Sequence, residues 1–188
     1  MRMVPGLVAF AFLLLFAGCT GERPSSSSSS TATATEPAAS SSTATDALVR
    51  AADDELARAI RQRASFEQMK GDLSELTTEG GEFTAYFDGG ALRLADVALY
   101  GETGKLEASL LYDADRRLRA ADRIESRYDE PFGKVVQTQR ARFHLYDDAV
   151  IRIVVDGREA DVGNEPWRTQ ARNLIELARH VAASARRP

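Results

Sequence analysis

Hydrophobic positions divide the chain into a helix, a long stretch of period-two alternation and a second helix. From residue 46 onward, apolar side chains fall at Leu48, Val49, Ala52, Leu56 and Ile60, the three-to-four spacing of one helical face. Asp46 precedes them and suits an N-cap, because a carboxylate there accepts from amides that a helix start leaves unpaired. Asp54 and Arg58 add an i,i+4 pair on the opposite side. The stripe lets the helix run to Met69, with Gly71 as its stop, while Ser65 and Gln68 form a capping-box pattern that offers an earlier break.

At residue 82 the period changes to two. Phe83, Ala85 and Phe87 alternate with Thr84 and Tyr86, and Asp88-Gly89-Gly90 turns the chain. Leu92 and Leu94, then Val97 and Leu99, form a second strand whose phase slips once near Ala95, the signature of a bulge. Leu106, Ala108, Leu110 and Tyr112 make a third strand, and Leu118, Ala120, Ile124 and Tyr128 a fourth. A fifth covers residues 135–146 with Ala141, Phe143 and Leu145 inward, and a sixth residues 150–155 before Asp156-Gly157. The connections are too short for crossover helices, so neighbours pair antiparallel. Trp167, Ala171, Leu174, Ile175, Ala178, Val181 and Ala182 then share a helical face, with Asn164 or Glu165 as its cap and Pro166 in its first turn. The expected fold class is α+β: an antiparallel meander of about six strands flanked by an N-terminal and a C-terminal helix. Its simplest form lays both helices on one sheet face.

Two further compositions precede this domain of residues 46–188. Residues 1–18 carry one charge, Arg2, followed by an apolar run at residues 7–16 (LVAFAFLLLF) and then Ala17 and Gly18. A charged start, a short apolar core and small residues at its end describe a secretory signal peptide, and the run is too short to span a bilayer. Residues 20–45 hold nine Ser, six Thr, five Ala and two Pro, with no aromatic and no large aliphatic residue. Such a stretch buries too little to offset chain entropy and reads as a flexible tether.

Leu15-Phe16-Ala17-Gly18-Cys19 resembles the lipobox of bacterial lipoproteins, and Cys19 is the one cysteine of the chain. The resemblance implies cleavage between Gly18 and Cys19 by signal peptidase II and a diacylglyceryl thioether on the Cys19 sulfur. Two acyl chains suffice for stable anchoring, at about 0.8 kcal/mol per buried methylene. Thr20 stands where Asp would signal inner-membrane retention, so the resemblance implies an outer membrane, facing the periplasm. Membrane lipid is then a partner through the anchor, and the covalent lipid on Cys19 takes the place of any cofactor.

Composition narrows the rest. The chain has 188 residues and a net charge of −4, which gives no reason to expect nucleic acid. A lone cysteine excludes an internal disulfide and a Cys-rich zinc site. The two histidines, His144 and His180, have no His or Cys neighbour. His144 falls on the polar side of its strand and reads as an ordinary exposed residue, so no metal site is expected. Carboxylate pairs such as Asp53-Asp54, Asp113 with Asp115, Asp129-Glu130, Asp147-Asp148 and Asp161 with Glu165 lie mostly at turns, where Asp suits the backbone. Two of them converging in a cleft would make a hydrolase, the alternative to a binding domain. No Gly-rich phosphate loop, HExxH or GxSxG occurs, so no catalytic residue is assigned.

Arg117, Arg119, Arg123 and Arg127 are all odd-numbered and on strand alternation share an outer face; Arg140 and Arg142 stand on the adjacent strand. Guanidinium groups in such a stripe bind phosphate or carboxylate bidentately, or they solvate the face. A scheme of aromatic strand end, polar turn and an apolar–basic pair recurs at Tyr86-Phe87-Asp88, Leu99-Tyr100-Gly101, Leu111-Tyr112-Asp113 and Leu145-Tyr146-Asp147. Over residues 86–152 it resembles the hairpin units of MORN-type repeats; local turn chemistry alone produces the same scheme. The functional expectation is a non-enzymatic, membrane-anchored envelope domain that binds a protein or an envelope polymer, with an inhibitor or assembly factor as a further alternative.

Overall fold

A computed structural model describes residues 38–185, with side chains from residue 42. The signal peptide, Gly18, Cys19 and the tether up to residue 37 lie outside the described residues. Helix α1 spans Ala38–Gln62 and is followed by a short 3₁₀ turn at Arg63–Ser65. Eight strands follow: β1 Glu67–Asp72, β2 Gly81–Asp88, β3 Ala91–Gly101, β4 Gly104–Tyr112, β5 Leu118–Tyr128, β6 Val135–Tyr146, β7 Ala149–Val155 and β8 Arg158–Ala160. Helix α2, Trp167–Ser184, ends the described chain. All strands pair in sequence order and antiparallel, so the sheet is the expected meander with one strand added at each edge. Among the described residues no helix is long and apolar enough to cross a membrane.

Three expectations change at the ends of α1. The helix starts inside the stretch read as tether, at Ala38, and Asp46 lies within it rather than capping it. Asp46 instead accepts a hydrogen bond from Arg152 Nη2 at 2.6 Å, tying α1 to β7. The helix stops at Gln62, and the earlier break is the one used, with Ser65 Oγ donating to the Gln62 carbonyl at 2.7 Å.

The helices do not share a sheet face. Successive strand residues point to opposite faces, and at the centre of the sheet both are buried: Leu94 with Ala95, Leu110 with Leu111, Ala120 with Ala121. One member of each pair packs with Ala52, Leu56 and Ala59 of α1; the other joins Leu174, Ala178 and Val181 of α2 in the larger core. The sheet is therefore the middle layer of three. The phase slip expected near Ala95 has this origin, together with a bulge at Arg93, where Tyr86 pairs Leu94 but Phe87 pairs Leu92.

Turn chemistry fixes the hairpins. Asp147 and Asp148 have φ of 53° and 63°, and Asp156 and Gly157 of 47° and 82°. Paired positive φ matches the right-handed twist of two strands joined by a two-residue turn. At the start of α2, Glu165 Oε2 accepts from the Thr169 amide at 3.2 Å.

Candidate ligand-binding cleft

Cross-strand pairing builds rows of side chains on the α1 face. One row runs Tyr86, Leu94, Leu111, Ala120, His144, Arg152; it is apolar beneath the C-terminal half of α1 and polar at β6 and β7. The neighbouring row, Asp96, Ser109, Asp122, Arg142, is polar throughout. Where both rows reach β5–β7, beside Val49, Arg50 and Asp53 of α1, an open cleft of about 660 Å³ remains.

Asp53 organises its floor. Its Oδ1 accepts from His144 Nε2 and from Arg142 Nη1, both at 2.9 Å. Because a carboxylate only accepts, the His144 proton sits on Nε2. Arg142 also grips Asp122 with two hydrogen bonds, Nε to Oδ1 at 2.5 Å and Nη2 to Oδ2 at 2.6 Å, the parallel geometry that makes arginine–carboxylate pairs strong. The hydrogen bonds to Asp122, with the charges of Asp122 and Asp53, hold the Arg142 guanidinium above the ordinary arginine range despite its partial burial. Arg152 is raised likewise, first by its hydrogen bond to Asp46; its Nε lies 3.4 Å from Glu159 Oε1.

Two cations of the cleft are left over. Arg140 spends its backbone amide on Asp156 Oδ1 at 3.0 Å, and Arg50 sends Nε to the Asp46 carbonyl at 3.3 Å. Neither guanidinium meets a carboxylate among the described residues. They are the two cleft cations without a carboxylate of their own, on a lining that also carries Asp53, Asp122, Asp156 and Glu159. Two polar atoms of the floor, His144 Nδ1 and Arg152 Nε, are buried without a hydrogen bond. No Ser, Thr or Cys lines the cleft, and no three His, Cys, Asp or Glu side chains converge among the described residues.

The structure separates the six arginines read as one surface. Arg123, Arg140 and Arg142 line the cleft, and of these Arg140 and Arg142 lie on the α1 face. The bulge opposite Leu111 and Tyr112 makes Arg119 an extra residue on β5, so Arg117 and Arg119 fall out of phase with Arg123 and Arg127. Arg117 pairs with Asp147, and Arg119 lies 5.6 Å over the Tyr146 ring. Arg123 is only 8% exposed and lies on the α2 side, donating to Gln170 Oε1 at 3.0 Å and Glu125 Oε2 at 2.6 Å. Arg127 is exposed.

His144 is the second correction. It is 1% exposed rather than on a wet face, because α1 covers the side on which alternation placed it. From the sequence Asp53 is weighed only in a carboxylate pair with Asp54 and His144 only as an exposed residue, and Asp122 and Arg152 are not singled out. The usable signal was the even-numbered set on β6, Arg140, Arg142 and His144, which must meet something acidic if that side is covered. A second cavity, of about 500 Å³, lies against α2 and is lined by Leu99, Leu106, Leu174, Leu177, Arg123 and His180. No protein-family model, curated protein or solved structure matches the chain.

Proposed function

We propose that the chain is a cell-envelope lipoprotein, anchored through a diacylglyceryl group on Cys19 in the outer membrane facing the periplasm, whose domain binds an anionic envelope polymer without transforming it. The observation that carries the binding role is the cleft beside α1, where the guanidinium groups of Arg50 and Arg140 meet no carboxylate among the described residues. Guanidinium groups such as those of Arg50 on α1 and Arg140 on β6 suit phosphate or carboxylate groups, which they engage bidentately.

The same geometry argues against hydrolysis. Asp53 and Asp122 are both engaged by Arg142, and the remaining histidine nitrogen, Nδ1, is shielded from solvent. No Ser, Thr or Cys among the described residues lines the cleft to act as a nucleophile.

Titration calorimetry of the mature chain with polyphosphate and with polygalacturonate, as phosphate and carboxylate polymers, tests the binding role. Binding of either, lost in Arg50→Ala/Arg140→Ala, supports it; no binding to either, or binding unchanged in that variant, rejects it. Mass spectrometry of protein purified from membranes tests the anchor. An acylated Cys19 as the first residue supports it, and a free thiol within an intact N-terminus rejects it.

A further inference from the structure

Strand β6 is longer than its neighbour β7. On the β5 side its ladder runs from Tyr128 opposite Val135 to Ala120 opposite His144. On the β7 side pairing begins only at Ala141, opposite Val155. The ladder closes at Arg140, whose carbonyl accepts from the Asp156 amide at 2.9 Å and whose amide donates to Asp156 Oδ1 at 3.0 Å. Both backbone groups of Arg140 thus point to the β7 side. Alternation along an antiparallel strand sends those of Thr138 the same way, while Val136, skipped where Arg127 pairs Gln137 and Tyr128 pairs Val135, is the extra residue of a bulge. No described residue meets the Thr138 groups: β6 runs past the end of β7 with an open edge over residues 135–139, while on the other side β4 stays paired with β5 as far as Arg127.

This edge lacks the protection of the other two. The outer strand β1 carries Glu67, Lys70 and Asp72, and β8 is three residues long with Arg158 and Glu159 among them. Charge and brevity are the usual devices that keep sheet edges from pairing with other chains. Residues 135–139 read Val-Val-Gln-Thr-Gln, with no charge, no proline and three β-branched side chains. Val135 and Val136 are 54% and 64% exposed, and Phe132 at the tip of the same hairpin is 65% exposed. The tip is held in place: Asp129 Oδ1 accepts from the Glu130 and Lys134 amides, and the Phe132 amide donates to the Glu102 carbonyl at 2.9 Å.

We infer that the free edge of β6 over residues 135–139 is a docking site for an extended peptide segment of a protein partner, added to the sheet as a further strand, apolar in its middle and acidic at its ends. Unpaired backbone groups in a row are satisfied by another backbone, which selects a strand over a glycan or a lipid. Lys134 and Arg140 bracket the uncharged run, and neither has a carboxylate partner for its side chain among the described residues, so acidic ends complement the site. A second copy of the chain fits less well. Self-pairing about Gln137 sets Lys134 opposite Arg140, and so short an edge buries far less than the roughly 1,200 Å² typical of a stable interface.

The test uses the mature chain and the peptide Glu-Val-Thr-Val-Thr-Val-Glu, blocked at both ends. Amide NMR with the labelled protein should show the Thr138 signal shifting on titration and its hydrogen exchange slowing. Thr138→Pro removes an outward donor without touching the β5 ladder and should weaken binding about tenfold or more. Val136→Lys, which charges the edge and leaves every backbone group in place, should do the same and guards against a proline variant that fails to fold. The peptide with Lys at both ends should also bind about tenfold more weakly. Failure of the acidic peptide to bind, binding unaltered by Val136→Lys, or equal binding of the Lys-ended peptide overturns the inference. So does a concentration-dependent dimer in sedimentation velocity that Val136→Lys dissolves, which would assign the edge to a second copy. Polymer binding in the α1 cleft is read separately, through Arg50, which takes no part in the β6 edge.

Discussion

His144 Nε2 donates to Asp53 Oδ1 across 2.9 Å, joining β6 to α1 from a side chain that is 1% exposed. This bond matters because the apolar contact between α1 and the sheet is small. Its buried face is Val49, Ala52, Leu56 and Ala59, and alanine brings little area to bury. Asp53 and Asp46, bonded to Arg142, His144 and Arg152, supply the remaining ties at this end of the helix.

Asp53→Ala removes the acceptor of a buried imidazole and is expected to lower stability by about 1–3 kcal/mol. His144→Leu in the same background should cost less than in the wild type, because the unpaired donor has gone. Urea unfolding of the two single variants and the double variant measures the coupling. Additive losses would show that the bond contributes nothing.

The outcome for Arg123 and Glu125 is asymmetric. Arg123 is 8% exposed, whereas the Glu125 side chain is 41% exposed. Arg123→Met exchanges a buried cation for an apolar side chain of similar length, and Glu125 turns to water; a change under about 1 kcal/mol is expected. Glu125→Leu leaves the buried guanidinium with Gln170 alone and should cost about 1–3 kcal/mol. Thermal denaturation of both variants distinguishes this from a pair whose halves are equally important.

Alternation located six strands because their buried residues recur at every second position on at least one face. It failed where that premise failed. The segment at β1, Glu-Gln-Met-Lys-Gly-Asp, has no apolar period and becomes a strand only by pairing with β2. Pairs such as Leu110-Leu111 and Ala120-Ala121 suit a sheet covered on both sides, yet a reading that assumes one wet face takes them for irregularities. His144 and the grouping of the arginines went astray for the same reasons, a covered face and a bulge at Arg119. The carboxylates that complete the cleft come from α1 and β5, which only the folded chain brings to β6.

Tyr112 is fully buried, and its hydroxyl donates to the Ala178 carbonyl of α2 at 3.0 Å. Burial pushes the phenol well above its ordinary range, with Arg116 acting weakly in the other direction. The folded state thus holds a proton that the unfolded chain releases above about pH 10. Stability from this group is present below that pH and declines as pH rises beyond it. Tyr112→Phe should cost about 1 kcal/mol at neutral pH and flatten the alkaline decline in a series of denaturant melts. Tyr86, also raised by burial and then by Asp96, leaves part of that slope in place.

Two glycines of one turn should respond differently to the same substitution. Gly101 ends β3 and Gly104 begins β4, flanking Glu102-Thr103. A Cβ on Gly101 would meet nothing closer than the Gly104 carbonyl oxygen at 3.4 Å. On Gly104 it would lie 2.3 Å from the Ser126 carbonyl oxygen, a backbone atom of the paired strand β5. A flexible side chain there would move aside; a ladder carbonyl does so only by shifting the β4–β5 register or spacing. Gly104→Ala is therefore expected to destabilise by about 1–3 kcal/mol, as overpacking does, and Gly101→Ala by under about 1 kcal/mol. Calorimetric melting of the two variants checks this, and equal midpoints would place the requirement for glycine in the turn's conformation rather than in the close approach of the two strands.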